Sequence, residues 1–162
     1  MKKSDSLKER IYSREELHQE VIRLRLKSKT IAFTNGVFDI LHEGHIAVLS
    51  QAASFADVLI VGVNSDASVK KLKGENRPVN SEDSRALIIA SLLMVDAVTI
   101  FNEETPIELI RLIQPDVLIK GGDYTLETIV GAKEVLDNGG RVEIIPVLEG
   151  FSTTNIINKI SK

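Results

Sequence analysis

Cysteine is absent from the 162 residues, which excludes disulfides, thiolate zinc sites, iron–sulfur clusters and thiol nucleophiles together. A reducing cytoplasm is the expected address. No apolar run approaches the roughly 18 residues that a bilayer span requires, and the opening MKKSDSLKER is charged, with no apolar signal-peptide core. Neither secretion nor a membrane partner is expected. An excess of charge of one sign is also missing. Lys and Arg number 20 against 23 Asp and Glu, a net charge of −3, so no global basic field would hold a nucleic acid backbone. No nucleic acid partner is expected, and anion binding must rest on local groups. Repeats at a period of roughly 20–50 residues and low-complexity segments are lacking, which removes solenoids, arrays and linkers. The phosphate loop GxxxxGK[ST] and a GxGxxG after the first strand are lacking too, so any nucleotide must be held by another device.

What is present is the composition of an ordinary folded domain, 43% hydrophobic and 27% charged, at a length suited to one compact unit. Short runs rich in Val, Ile and Leu recur as KTIAFTN at 29–35, DVLIVGV at 57–63, AVTIF at 97–101, DVLIK at 116–120 and RVEIIPV at 141–147. Nearly continuous apolar runs suit strands buried on both faces. Segments with helical spacing lie between and after them, near 44–55, 81–95, 106–113, 126–137 and 152–160. Thr105-Pro106 with Glu108 predicts a capping box with proline in the first helical position, and Asn138-Gly139-Gly140 predicts a helix stop. Upstream, Ser13 and Glu16 form a capping box before Leu17, Val21, Ile22 and Leu24, so residues 1–28 read as a polar lead and an appended N-terminal helix. Strands alternating with helices imply right-handed βαβ crossovers. The expected fold is α/β, a doubly wound parallel sheet of five strands. The stretch VKKLKGENRPVN at 69–80 has neither period and reads as a mobile basic loop carrying Lys70, Lys71, Lys73 and Arg77.

In open α/β sheets ligands bind beyond the carboxyl ends of the strands, where strand order reverses. Three polar, glycine-containing loops stand at such ends: Thr34 to His45 after the first strand, Lys120 to Tyr124 after the fourth, and Glu149 to Thr154 after the fifth. One shared ligand site is the economical reading. His42 and His45 are three apart, at the start of a helix if Gly44 begins one, where the helix dipole and free amides attract an anion. Two imidazoles there could donate to charge building on phosphorus. A zinc site is not supported, because HEGH is not HExxH and only His18 remains as a further nitrogen ligand. Each feature also has a plain structural reading. Ser152, Thr153 and Thr154 cap a helix as readily as they hold phosphates. Gly121-Gly122 can be a simple turn, or it can let backbone approach a ligand closely. Asp123 could hold a ribose or a metal, and Asp39 and Asp66 either cap local structure or orient the site. The lysine-rich loop is solvated unless a ligand engages it. Arg85, inside an otherwise apolar helix, is harder to explain by structure alone.

Read together, GVFDILHEGH, KGGDY and EGFSTTNII resemble the nucleotidyltransferase superfamily that carries an HxGH signature. The longer stretches FTNGVFDILHEGH, VNSDASVKKLKGENRPVN, KGGDY and GFSTTNII are similar to heptose 1-phosphate adenylyltransferases, over nearly the whole chain. The resemblance implies a Rossmann-like nucleotidyltransferase domain at 29–162. It also implies that His42, His45 and Lys73 are catalytic, acting on the phosphates, and that Asn35, Gly36, Val37 and Phe38 cradle the nucleotide. Lys71 and Arg85 match phosphate-binding basic positions of related cytidylyltransferases. Gly121, Gly122, Asp123 and Tyr124 fall where the superfamily holds base and ribose, and Ser152, Thr153 and Thr154 would hold the leaving pyrophosphate. Asp39, Asp66 and Arg77 would support the site. One departure is Val147, where the cytidylyltransferase pattern RTEGISTT has arginine. The implied substrates are ATP, with Mg²⁺, and a sugar 1-phosphate made by a separate kinase, and the implied assembly is a homodimer. An already anionic phosphate oxygen can attack the α-phosphorus of ATP without a strong general base. Rival readings are a cytidylyltransferase acting on glycerol 3-phosphate or another phosphorylated alcohol, and a nucleotide-binding module without turnover.

Overall fold

The apolar runs become parallel strands, and their alternation decides which helices cover which face. The structure is a computed structural model and describes residues 4–146. Its strands are β1 (Ile11–Tyr12), β2 (Ile31–Gly36), β3 (Val58–Asn64), β4 (Ala97–Phe101), β5 (Val117–Gly121) and β6 (Arg141–Ile145). The helices are α1 (Arg14–Leu26), α2 (Glu43–Ala53), α3 (Asp66–Lys73), α4 (Glu82–Ala90), α5 (Ile107–Ile113) and α6 (Ala132–Asp137). The sheet order is β1-β4-β3-β2-β5-β6 and every pairing is parallel.

Side chains alternate across each strand. Ile31 and Phe33 of β2 join Leu118 of β5 in one core, with α1 (Leu17, Val21, Leu24), α5 (Leu109, Ile110, Ile113) and α6 (Ala132, Val135). Ala32 of β2 joins Val117 and Ile119 of β5 in the other, with α2 (Leu49, Ala52) and α4 (Ala86, Ile89, Ala90). The chain runs outward from β2 to β3 and β4, then returns to the other side of β2 as β5. That reversal opens a crevice between the carboxyl ends of β2 and β5.

The doubly wound α/β class stands as expected, with one strand more than five. The addition is β1, two residues paired to β4 through Ile11↔Val98 and Tyr12↔Thr99. Two residues are too few to show a period, so the sequence hid it. The Ser13 capping box forms, with Ser13 Oγ accepting from the Glu16 amide at 3.2 Å and Glu16 accepting from the Ser13 amide at 2.8 Å. The Thr105 capping box does not form: α5 begins after Pro106, with no side-chain cap. The first five residues of the stretch expected to be a loop, 69–73, are helical, because Ser65 caps α3 by accepting from the Ser68 amide at 3.1 Å. Its short length and run of lysines masked the period. The segment read as one helix at 126–137 is a 3₁₀ turn, Leu126–Thr128, and α6, separated by Gly131 at φ +84°. A side chain at Gly131 would stand 2.4 Å from Ile110 Cδ1. Asn138 ends α6 as expected. The helix expected at 152–160 lies outside the described residues.

Leu17 on α1 is fully buried in the core shared with β2 and α5. Leu17→Ala should therefore cost about 2–5 kcal/mol by cavity formation, lowering the thermal midpoint by roughly 5–15 °C. A calorimetric midpoint unchanged within a degree would show that α1 is not part of the cooperative fold.

Candidate active site

The loop from β2 to α2 is built around a folded-back turn. Phe38 sits at φ +51°, a left-handed backbone that costs an aromatic residue about 1 kcal/mol or more and is found where surroundings enforce it. Its ring covers Gly36, where a Cβ would stand 3.0 Å from the Phe38 ring carbons, and meets His45 edge-on at 5.4 Å. Asp39 follows, 3% exposed. Its carboxylate accepts from Arg77 Nε at 2.8 Å and from the amides of Val79 and Asn80 at 2.9 Å each, while Asn80 Nδ2 donates to the Asp39 carbonyl at 2.6 Å. Burial opposes ionisation of Asp39, but the Asn80 and Val79 amides and the Arg77 guanidinium outweigh it and hold its pKa below the usual value. The basic segment after α3 is thereby pinned beside the histidine loop.

His42 is the residue before α2, and its side chain does not cap the helix. The corresponding positions of α1, α3 and α4 are serines that do. The His45 amide donates instead to the His42 carbonyl at 3.0 Å, and among the described residues no side chain covers the positive end of α2. The rings of His42 and His45 stack at 3.8 Å with 27° between planes. Burial depresses the pKa of both, and with help from His42 and Lys73 it brings His45 to about 4. Both rings are therefore neutral near pH 7. Lys73 closes α3, its pKa lowered by burial and by Arg77 against the pull of Asp39. His45 Nδ1 and Arg77 Nη2 are buried with no hydrogen-bond partner among the described residues. Orphaned buried nitrogens are rare in folded proteins, and these two border one cluster of cationic and imidazole groups. An anion rich in acceptor oxygens fits it.

Arg85 stands behind this cluster. Fully buried, it donates to the Asn80 carbonyl at 3.0 Å, the Val37 carbonyl at 2.6 Å and Asp66 Oδ1 at 2.7 Å. The sequence expectation put Arg85 on a phosphate, whereas the structure puts its guanidinium on protein acceptors, locking three segments together. Asp66 receives it. Lys71 is exposed on α3 with no ion pair among the described residues. At the crevice itself, Asn35 Oδ1 accepts from Lys120 Nζ at 2.9 Å. Gly121 packs on α2, where a Cβ would stand 2.9 Å from Val48, and Gly122, at φ +132°, donates its amide to the Ile145 carbonyl at 3.0 Å. Asp123 and Tyr124 are exposed, with Lys120 Nζ 5.8 Å from the Tyr124 ring centre. Ser152, Thr153, Thr154 and Val147 lie outside the described residues.

Two residues were missed from the sequence. Asn80 joins Asp39 to Arg85, and nothing in its loop context marks it. Lys120 did leave a signal, as the one charged residue near the end of an otherwise apolar buried strand. A separate groove of about 760 Å³ between α1 and α5, lined by His18, Ile22, Leu26 and Arg111 among others, contains none of the site residues.

Comparison with known proteins gives one family model, cytidylyltransferase-like, matching residues 33–161. The chain is 51% identical over 150 residues to the bifunctional protein HldE of Koribacter versatilis, covering 93% of this chain and 31% of that protein. It is 53% identical over 144 residues to the bifunctional protein HldE of Nitrobacter winogradskyi, covering 89% of this chain and 30% of that one. The chain thus spans about a third of the length of these curated relatives. Among solved structures, a lipopolysaccharide core biosynthesis protein from Thermoplasma volcanium superposes with a TM-score of 0.59 at 28% identity, over 74% of this chain and 97% of that one. A pantoate-beta-alanine ligase from Francisella tularensis superposes with a TM-score of 0.61 at 20% identity, over 93% of this chain and 77% of that one, a likeness of fold alone.

The histidine pair gives a pH signature. Below the ordinary value of 6.5 the unfolded chain takes up a proton at position 45 that the folded chain refuses until about pH 4. Stability should therefore fall as pH drops through that window, and the slope should weaken in His45→Asn. Proton NMR of the imidazole should place the His45 midpoint near 4. A midpoint above 6 would contradict the stacked, desolvated pair.

Proposed function

The chain belongs to the cytidylyltransferase-like family, and from that premise we propose that it transfers AMP from ATP to D-glycero-D-manno-heptose 1-phosphate, releasing pyrophosphate and forming ADP-heptose, a precursor of the lipopolysaccharide core. The observation that carries this reading is the pair of orphaned buried nitrogens, His45 Nδ1 and Arg77 Nη2, beside stacked histidines at an uncapped helix start. The similarity to bifunctional HldE proteins and to a lipopolysaccharide core biosynthesis protein supports the choice of acceptor.

In the proposed reaction an anionic phosphate oxygen of the sugar 1-phosphate attacks the α-phosphorus of ATP. The bond from that phosphorus to the bridging oxygen breaks, and pyrophosphate carries the electron pair away. No proton has to be removed from the nucleophile, which suits a site whose imidazoles are neutral donors near pH 7. His42 and His45 donate to oxygens of the reacting phosphates, Lys73 and Arg77 neutralise the triphosphate, and the N-terminus of α2 adds its dipole. Asn35, Gly36, Val37 and Phe38 line the nucleotide's path, and Lys71 reaches outer phosphate oxygens. Gly121, Gly122, Asp123 and Tyr124 take base and ribose in this reading, and Ser152, Thr153 and Thr154 take the pyrophosphate. Asp39, Asp66 and Arg85 hold these groups in place. Among the described residues no group of three or more His, Cys, Asp or Glu is arranged to hold a metal, so Mg²⁺ belongs to the proposal as the ion carried in by ATP. The same proposal includes a homodimer in the cytoplasm. The absence of cysteine suits a reducing compartment, exposed Ile22 and Leu26 on α1 offer a second copy apolar surface, and light scattering at micromolar concentration measures the assembly.

The deciding experiment is pyrophosphate release with Mg²⁺, crossing ATP and CTP with α- and β-heptose 1-phosphate and glycerol 3-phosphate. Release is expected only with ATP and one heptose anomer, and release with CTP and glycerol 3-phosphate would replace the reading. His42→Ala and His45→Ala should each lower turnover about 10²–10³-fold, the usual loss for one preorganised donor, with circular dichroism unchanged. Near-normal turnover in either variant would remove its assigned role.

A further inference from the structure

We propose that Lys120 binds the phosphate of the acceptor, in a subsite on the face of the sheet opposite the histidines; this rests on the nucleotidyl-transfer reading above. The placement follows from register. Strands β2 and β5 pair through Ala32↔Val117 and Phe33↔Leu118. Carried forward, that register sets Asn35 level with Lys120 and Gly36 level with Gly121. Phe33 and Leu118 belong to the core under α1, α5 and α6. Two residues on, Asn35 and Lys120 project to that same face, and their hydrogen bond at 2.9 Å agrees. Helix α2, which carries His45 and follows His42, covers the other face.

Lys120 is partly buried, yet it enters no ion pair among the described residues. Burial alone lowers its pKa, with no charged neighbour acting on it. A half-desolvated ammonium held only by an amide oxygen and an aromatic ring is an incomplete site. What it still presents is uniform in kind. With Asn35 Oδ1 taking one of them, Lys120 Nζ keeps its other N–H bonds, which are donors only. A nucleobase edge offers donors as well as acceptors and would leave a clash of like groups. Phosphate oxygens offer acceptors alone.

Geometry then separates this anion from the triphosphate. The groups suited to the triphosphate, His42, His45, Lys73 and Arg77, gather about α2 and the end of α3. In-line displacement brings the attacking oxygen to phosphorus from the side opposite the departing one, and an acceptor held away from the triphosphate-binding groups has that line of approach. Gly36 and Gly121, level with each other and one residue on, turn to the α2 face instead, where the Phe38 ring and Val48 fill the space a side chain would take.

The test is calorimetric binding with the full chain, comparing wild type with Lys120→Met and, should that variant unfold, Lys120→Gln. The probes are α,β-methylene ATP with Mg²⁺, and then inorganic phosphate added to the saturated analogue complex. The analogue should bind the variant within about threefold of wild type, whereas phosphate should bind at least tenfold more weakly. A tenfold loss of analogue affinity would place Lys120 in the nucleotide site and overturn the proposal. So would unchanged phosphate affinity, or a wild-type analogue complex that takes up no phosphate. Because neither readout needs turnover, silence in the pyrophosphate assay would sink the heptose reading while leaving this result standing.

Discussion

One buried carboxylate organises the histidine-bearing end of the molecule. Asp39 has a side chain 1% exposed against Arg77 at 15%, and a charge removed that far from water is tolerated only when its lone pairs are filled. They are filled by two backbone amides and a guanidinium, all from residues 77–80. A basic segment with no periodic structure of its own is thereby given one position relative to the histidine loop. Charged hydrogen bonds of this kind are strong individually, but the larger consequence is geometric. Removing the carboxylate would leave Arg77 buried without its counter-ion and free the loop that carries it.

Arg85 extends the same logic one layer back. Its donors reach the carbonyl of Asn80, the carbonyl of Val37 and the carboxylate of Asp66, so α4 ties together the loop after α3, the loop after β2 and the start of α3. Asp39 and Arg85 share Asn80 as a common partner. Displacement of any one of these segments strains the others, which is how a site assembled from loops keeps the fixed geometry that positioning catalysis requires. Arginine in an apolar helix looked like a ligand contact in the sequence. Its full burial shows that a charged residue at a strand-end site can be structural when three acceptors converge on it.

Legibility in the sequence followed the length and regularity of the signal. The long apolar strands, the parallel order and the Ser13 cap were all readable, because burial on both faces and cap chemistry leave local marks. Strand β1, helix α3 and the break at Gly131 were not, since two residues, eight residues rich in lysine, and a turn set by Ile110 are decided by tertiary contacts. For the candidate site, HEGH and KGGDY marked two strand ends that flank the crevice, and the structure brings Phe38, His42, His45, Lys73 and Arg77 around one region. Whether a basic side chain faces a ligand or the protein is a matter of long-range partners, which is why the three protein acceptors around Arg85 could not be read from its helix.

The electrostatics of the candidate site bear on how it would receive an anion. Positive and potentially positive groups are crowded together: Lys73 is disfavoured as an ammonium by burial and by Arg77, and His45 by burial, His42 and Lys73. Only Asp39 stands against them among the groups named, and its charge is already committed to Arg77 and two amides. The fold thus holds cationic groups closer together than their own repulsion favours, and it does so through neutral packing and the Asp39 clamp. A polyanion entering the cleft would relieve that repulsion, raise the affinity of the histidines and Lys73 for protons, and strengthen each hydrogen bond it receives. Preorganisation here means that the scaffold bears the repulsion before the ligand arrives, so little rearrangement is left for the moment of reaction.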